Sequence, residues 1–288
     1  MRVANQTIFD SVNYNLANIS EKMNNAYEVA TTGRRINDLS DDPVGLTQSL
    51  NIKSTLSNIE QMGRNINRGN SWLASSESAL TRVQNIISDI KALCVQMVNA
   101  STGSAQRASA GKNVQNMLEE IVSLANTDIA GSYIFSGSKT DTVPFSQDGT
   151  YNGNDNPFTI KIGRNATVEV GSDGSVVFGD IFDTFNNLKT ALETDDIGGI
   201  QDAMNQLDNN FDGISAKISD VGSKMSRMEI KDKIFQDLSF ANTERLSKIE
   251  DADIAEAIMN LKAMEFSYQA ALASSAKVMT MTLVDYLK

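Results

Sequence analysis

Both ends of the chain carry apolar and small residues at heptad spacing. In the N-terminal segment these positions follow one another in steps of four and three, and they are Val12, Leu16, Ile19, Met23, Ala26 and Ala30. The C-terminal set runs almost to Lys288 and comprises Ile254, Ile258, Leu261, Met264, Tyr268, Leu272, Met279 and Leu283. A stripe of this period lies on one side of a helix and is usually buried against a partner. The pattern therefore predicts two terminal helices, each with an apolar face to cover.

A tight turn is predicted between the first helix and the second. The first helix should cover residues 3–31 and end near Gly33, because glycine accepts the left-handed backbone at a helix C-terminus. Residues 37–42 are mostly Asn, Asp and Ser, which favour turns and helix caps. Pro43 fits the first position of a new helix, where its missing N–H costs nothing. Asp41 and Asp42 would then lie at the positive end of that helix.

The second helix is predicted to be unusually long. No proline occurs between Pro43 and residue 101, so the segment of about 58 residues reads as one rod, far beyond the usual three turns. Its apolar seam comprises Leu73, Leu80, Val83, Ile87, Ile90, Cys94 and Met97. The only cysteine lies on that seam, so we interpret it as a small core residue rather than a nucleophile.

The middle of the chain changes character. Residues 102–112, rich in Gly, Ser and Ala, are predicted to form a bend before a shorter helix with an apolar face from Val114 to Leu124. Four stretches then favour strands because β-branched and aromatic residues alternate or cluster between turn residues. They are 132–140, which is predicted to be a strand followed by a turn, 158–162, 166–170 and 175–178. A small β insertion is expected here.

The clearest periodicity lies after Gly199. Nine positions alternate steps of four and three without a break, and they are Ile200, Met204, Leu207, Phe211, Ile214, Ile218, Val221, Met225 and Met228. This helix should continue to about residue 248, and residues 250–253 should begin the terminal one. The predicted fold is mainly α, a long antiparallel helical coiled-coil bundle with paired N- and C-terminal helices and a small β insertion domain. The expected domains are 1–42 with 250–288, 43–130 with 187–249, and 131–186.

Composition narrows the classes of function. The 288 residues are 41% hydrophobic and 21% charged, which suits a soluble chain with a sizeable core. The net charge of −11 makes nucleic acid and anionic membranes poor partners. The sequence contains no histidine, so the usual general base and zinc ligand are missing. We therefore expect no catalytic residues, no metal or cofactor, and no enzymatic activity.

We interpret residues 148–156 as lacking a calcium site, and the two ends of the chain as lacking a secretory signal and a membrane span. Residues 148–156 are rich in Asp, Asn and Gly, but they lack the spacing and the closing Glu of an EF-hand, so a hairpin loop is favoured. The N-terminal residues have no continuous apolar core of the secretory-signal type, and charges interrupt the C-terminal stripe. The chain is expected to stay in the cytoplasm unless a route exports it without a cleaved signal.

Several segments resemble the flagellin superfamily. Residues 32–46 (TGRRINDLSDDPVGL), after an N-terminal heptad helix, are similar to the segment that closes that helix in such proteins. Residues 249–258 (IEDADIAEAI) and 266–277 (FSYQAALASSAK) resemble the matching C-terminal region. The resemblance to the subgroup of hook-filament junction proteins rests on the opening Met-Arg-Val, Asp-Asp-Pro at 41–43, residues 131–145 and the ending 283–288. The signature positions are Gly33, Arg34, Asp41, Asp42, Pro43, Tyr133, Phe135 and Gly137.

The resemblance implies a structural role in the bacterial flagellum. Such proteins join hook to filament as a ring, and their terminal helices are disordered in the free monomer and pair as the inner tube on incorporation. It implies contacts with the preceding hook-associated junction protein, with flagellin and with further copies of the chain. It also implies binding to a chaperone, unfolded type III export through an uncleaved N-terminus, and a final location outside the cell. The two terminal seams would then form the assembly interface.

Two alternatives remain open at this stage. A filament-forming flagellin would share nearly all of this architecture, and residues 131–145 and the chain's end speak against it. A soluble coiled-coil scaffold protein would differ by having ordered ends in the dilute monomer.

Overall fold

The structure, a computed structural model, describes the backbone of residues 2–286 and the side chains of residues 6–277 except residue 8. Within that range the chain forms six helices, α1 Arg2–Thr32, α2 Pro43–Met97, α3 Ser104–Ala125, α4 Gly174–Glu193, α5 Ile197–Glu250 and α6 Ile254–Tyr286. It also forms four short strands, β1 Asp128–Ile129, β2 Ser132–Tyr133, β3 Thr159–Gly163 and β4 Ala166–Glu169. The strands pair as two antiparallel ribbons, β1 with β2 and β3 with β4. The prediction of a mainly α fold with a small β insertion is confirmed.

The chain divides into two compact units. The terminal unit comprises Met1–Asn58 and Leu238–Lys288, and the central unit comprises Ile59–Asp237. Helices α2 and α5, with 55 and 54 residues, each contribute to both units.

Helices α1 and α6 pair in an antiparallel arrangement within the terminal unit. The carbonyl of Gly33, which follows α1, accepts a hydrogen bond of 2.9 Å from the N–H of Ala252, which precedes α6. The end of one helix therefore lies beside the start of the other. Gly33 has a φ of 69° and its N–H donates to the carbonyl of Val29, so it ends α1 as the sequence predicts.

The predicted heptad of α5 forms part of the central core. Its residues at intervals of seven are fully buried, namely Ile200, Leu207, Ile214, Val221 and Met228. The intervening positions are partly buried against the same core, namely Met204, Phe211, Ile218 and Met225. The period therefore identified the buried side of this helix correctly.

Cys94 lies in this core, as the sequence predicts. It is 1% exposed on α2, and burial raises the pKa of its thiol to about 12. A thiol that stays protonated is a poor nucleophile, so a packing role is consistent with the structure.

Two local predictions are wrong. Residues 175–178 begin helix α4 instead of a strand, because the Asp173 side chain caps the N–H of Ser175 at 2.9 Å and the apolar residues that follow recur at helical spacing. The strand followed by a turn that is predicted for residues 132–140 is present, although the strand covers only Ser132 and Tyr133. The segment 102–112 is mostly helical, since α3 starts at Ser104. The small residues there fit a close helix contact, as a Cβ added to Gly111 would lie 3.3 Å from Glu193.

A buried arginine joins two connections of the central unit. Arg107 is 4% exposed, and its Nε donates to the carbonyl of Met97 at 2.8 Å, at the end of α2. Its Nη1 forms an ion pair with Asp195, which lies between α4 and α5 with a φ of 60°. One side chain therefore links the α2–α3 connection to the α4–α5 connection.

Candidate assembly interface

The predicted seam of α1 lies on the half-buried side of that helix. All six positions, Val12, Leu16, Ile19, Met23, Ala26 and Ala30, are half-buried. By contrast, Tyr14 and Tyr27 are 68% and 62% exposed. The heptad spacing thus selected the side of α1 that is shielded from solvent.

The predicted seam of α6 is divided between two sides of the helix. Leu261, Met264 and Tyr268 are half-buried. Ile254, Ile258 and Leu272 are 46%, 48% and 44% exposed. Met279 and Leu283 lie outside the residues whose side chains are described.

Small residues complete the shielded side of α6, and the sequence analysis missed them. Ala257 is buried, and Ala271 and Ser275 are half-buried. The spacing of seven residues from Ala257 through Met264 to Ala271 was the available signal. This signal is weak because small side chains add little to a hydrophobic stripe. In the structure, the same small side chains allow two helices to approach closely.

Large apolar side chains remain on the solvent side of this helix pair. We call them the outer apolar residues, and they are Tyr14, Tyr27, Ile258, Met259, Phe266 and Leu272. Their exposed fractions run from 44% for Leu272 to 73% for Phe266. Exposed apolar surface that is contiguous is typical of an interaction site.

The two loops at the base of the helix pair are joined by backbone hydrogen bonds. Arg34 forms an isolated antiparallel bridge with Asp251. The N–H of Arg35 donates to the carbonyl of Glu250 at 2.6 Å. The guanidinium of Arg35 donates to the carbonyl of Ile249 at 2.9 Å, across 214 residues of sequence. We call these contacts, with that of Gly33, the interloop clamp.

The Glu250 carboxylate adds a buried ionic contact beside the clamp. Its side chain is 5% exposed and accepts hydrogen bonds from Ser49 and Lys53 of α2. Burial favours the neutral acid, but the hydrogen bonds from Lys53 and Ser49 and the charge of Lys53 outweigh it. The pKa of Glu250 is therefore below its ordinary value. The carboxylate holds the start of α2 against the end of α5.

The acidic signature residues shape the turn before α2. Asp41 accepts from the N–H groups of Asn37 and Asp38 at 3.0 and 2.9 Å, and these bonds lower its pKa. Asp42 accepts from the N–H of Gly45 at 2.8 Å, so it caps a helix that starts at Pro43. This agrees with the cap and first-turn roles expected for Asp42 and Pro43.

The remaining signature residues belong to the central unit and pack its β insertion. Tyr133 is half-buried in β2, and Phe135 is fully buried with its ring 4.9 Å from that of Phe178, edge to face. Gly137 has a φ of 67°, and a Cβ there would overlap the carbonyl of Asn154. These positions stabilise a local fold and lie in a different unit from Gly33, Arg34 and Asp41–Pro43.

Sites of other kinds are missing from the described residues. No group of three or more His, Cys, Asp or Glu side chains there is arranged to hold a metal ion. None of the described helices combines the length and apolarity needed to cross a membrane.

Comparison with known families assigns the class of this protein. The bacterial flagellin N-terminal helical region matches residues 3–140, and the bacterial flagellin C-terminal helical region matches residues 198–287. The chain therefore belongs to the flagellin family, whose members are structural proteins of the flagellum and not enzymes.

Individual relatives include both hook-associated proteins and flagellins. The flagellar hook-associated protein 3 of Salmonella typhimurium is 23% identical over 93% of this chain and 95% of that protein. The crystal structure of Bacillus cereus FlgL is 27% identical with a TM-score of 0.62, and the match covers 68% of this chain and 99% of that one. A flagellin of Halalkalibacterium halodurans is 25% identical over 88% of this chain and 86% of that protein.

Proposed function

We propose that this chain is the structural adaptor that joins the hook to the filament of the bacterial flagellum. The observation that carries the proposal is the antiparallel pairing of α1 with α6, which leaves the outer apolar residues exposed. A flagellar protein with this surface has a face available for assembly. The match to a hook-associated protein along nearly the whole chain supports the junction rather than the filament.

The proposed function includes specific binding partners and an export route. The chain would assemble as a ring, with the preceding hook-associated junction protein on one side and flagellin on the other. It would travel unfolded through the type III export apparatus to the cell exterior, after a chaperone has held its C-terminal helix. Residues 1–42 with 250–288 would line the inner tube, 43–130 with 187–249 would form the next shell, and 131–186 would face solvent.

The assembly interface would consist of the seams on α1 and α6. Its association energy would come from burial of apolar area, at about 25 cal/mol per Å², less the cost of ordering the helices. The half-buried residues, such as Leu261, would hold α1 to α6. The exposed ones, such as Leu272, would contact neighbouring subunits.

Two charged substitutions test these separate roles of the half-buried and the exposed residues. Leu272→Asp should block assembly while α1 and α6 still pair, because Leu272 is 44% exposed in the paired state. Leu261→Asp should block assembly by separating the pair. Asn260→Asp places the same charge on an exposed polar position of α6 and should assemble normally. Normal incorporation of Leu272→Asp, seen by electron microscopy, would overturn the interface.

The location of the protein tests the function itself. A tag in the loop 146–156, detected on intact cells by immunoelectron microscopy, should give one label where hook and filament meet. Label along the whole filament would instead support the alternative, a filament-forming flagellin. The similarity to the flagellin of Halalkalibacterium halodurans is the reason to consider this alternative. Absence of flagellar label would reject both.

A further inference from the structure

The loop between β2 and β3 contains a short hairpin with an exposed asparagine at its end. Phe145 forms an isolated antiparallel β-bridge with Tyr151, and the N–H of Ser146 donates to the carbonyl of Thr150 at 3.0 Å. The N–H of Asn152 donates to the carbonyl of Pro144 at 2.7 Å. The side chain of Asn152 is exposed to solvent.

Asn152 is followed by Gly153, and this is the only Asn-Gly pair in the sequence. The packing requires the glycine, because a Cβ at position 153 would overlap the hydroxyl of Tyr151 and lie 2.8 Å from the carbonyl of Ser136. Glycine also leaves its own backbone nitrogen unshielded, since no side chain covers it. The fold thus keeps a glycine, whose backbone nitrogen has no side chain beside it, directly after an exposed side-chain amide.

A second acidic or amide residue before glycine lies in the same hairpin, but it is chemically protected. Asp148 precedes Gly149, and the backbone N–H of Thr150 donates to its carboxylate at 3.1 Å. This bond holds the pKa of Asp148 below its ordinary value. An ionised carboxylate is a poor electrophile, whereas the neutral amide of Asn152 is open to attack.

We propose that Asn152 is a site of spontaneous deamidation in the β insertion. The backbone nitrogen of Gly153 gives up its proton to solvent base and attacks Cγ of Asn152, which forms a new C–N bond. The bond from Cγ to Nδ2 breaks, and the amide nitrogen takes a proton from water and leaves as ammonia. Water then opens the five-membered imide at either carbonyl, giving aspartate or isoaspartate, so the net change is hydrolysis of one amide.

The hydroxyl of Ser146 limits the rate of this reaction. Nδ2 of Asn152 donates to Oγ of Ser146 at 2.9 Å and to the carbonyl of Thr150 at 3.4 Å. These bonds hold the amide against the hairpin, so they must break before Cγ can reach the nitrogen of Gly153. Removing the hydroxyl should therefore speed the reaction without changing the chemistry.

Two other asparagines serve as internal controls. Asn165 is exposed at the turn between β3 and β4 but precedes Ala166, whose side chain shields the backbone nitrogen. Asn154 is half-buried, and its side chain bonds the N–H and the hydroxyl of Ser138, each at 2.8 Å. Both should react far more slowly than Asn152.

The experiment follows the intact protein in mildly alkaline buffer by peptide mass spectrometry and an isoaspartate assay. Product should accumulate at Asn152 several-fold faster than at Asn165 or Asn154, and Ser146→Ala should raise the rate at Asn152 several-fold while leaving Asn165 unchanged. Asn152→Ser should remove the signal. Equal rates at Asn152 and Asn165 would overturn the site, and an unchanged rate in Ser146→Ala would overturn the role of the hydroxyl.

Discussion

Lys53 of α2 and Glu250 of α5 form an ion pair in which the Glu250 side chain is 5% exposed and that of Lys53 is 39% exposed. Glu250 also accepts from the buried hydroxyl of Ser49, and its own backbone carbonyl accepts from the N–H of Arg35. One residue therefore contacts both α2 and the loop that ends α1. Loss of its charge should loosen the base of the α1–α6 pair.

Glu250→Gln should lower the free energy of opening at the interloop clamp. Hydrogen bonds to a charged partner contribute about 1.5–3 kcal/mol, so a loss of that order is expected. Amide hydrogen exchange at Arg35 and Ala252 measures it, since both N–H groups donate within the clamp. Glu244→Gln is the matched control, because Glu244 pairs with Lys248 on the surface and is 55% exposed. Equal protection in the two variants would contradict the role of Glu250.

The clamp should also weaken in acid. In the folded protein the hydrogen bonds from Lys53 and Ser49 outweigh burial and hold the pKa of Glu250 below its ordinary value, so folding favours its carboxylate form. This contribution is fully present above the unfolded pKa and is lost as the pH falls through the lower folded pKa. In side-by-side exchange measurements, the wild-type protein should lose its advantage over Glu250→Gln as the pH drops below the ordinary glutamate pKa of about 4.3. A constant difference between the two proteins across that range would contradict the linkage.

Arg107→Met should destabilise the central unit. The substitution removes the charged donor of the Met97 carbonyl and the ion-pair partner of Asp195, and hydrogen bonds to a charged group contribute about 1.5–3 kcal/mol. The fluorescence of Trp72, which is buried in that unit, should report the shift in urea denaturation. Arg82→Met, at an exposed position of the same unit, should have almost no effect.

Tyr151→Phe should loosen the β insertion. The Tyr151 hydroxyl lies 3.2 Å from the carbonyl of Phe135 and 3.0 Å from that of Asn154, and it accepts from the N–H of Gly174 at 3.3 Å. Its loss should cost about 0.5–1.5 kcal/mol, because the carbonyl of Asn154 loses its hydrogen bond, whereas the N–H of Gly174 still donates to the carbonyl of Phe135 at 3.0 Å. Urea denaturation followed by Trp72 fluorescence measures the effect. Tyr133→Phe is the comparison, and an equal loss there would argue against a specific role for the Tyr151 hydroxyl.

Helix content was predictable where one periodicity acts over many residues. The heptad of α5 identified both the helix and its buried side, because nine positions repeat a pattern that a strand cannot satisfy. The residue pattern predicted the wrong element for residues 175–178. Three residues with high strand propensity, Val176 to Phe178, cannot outweigh a cap from Asp173 and an apolar face that continues to Leu192.

The candidate interface was predictable only in part. All six residues that the spacing selected on α1 are half-buried, but on α6 it mixed shielded residues such as Leu261 with exposed ones such as Leu272. It also missed Ala257, because a small side chain carries little hydrophobic signal. The distinction between the two sides of α6 depends on where α1 lies.

The sequence by itself determined the helical rods, their buried periods, the cap at Asp42 and the family signature, because these depend on residues close together along the chain. Only the tertiary structure decided the contacts of Glu250 with Ser49 and Lys53, the interloop clamp and the two sides of α6. Those contacts join segments about 200 residues apart, and the spacing of residues along a helix cannot specify which distant helix covers it.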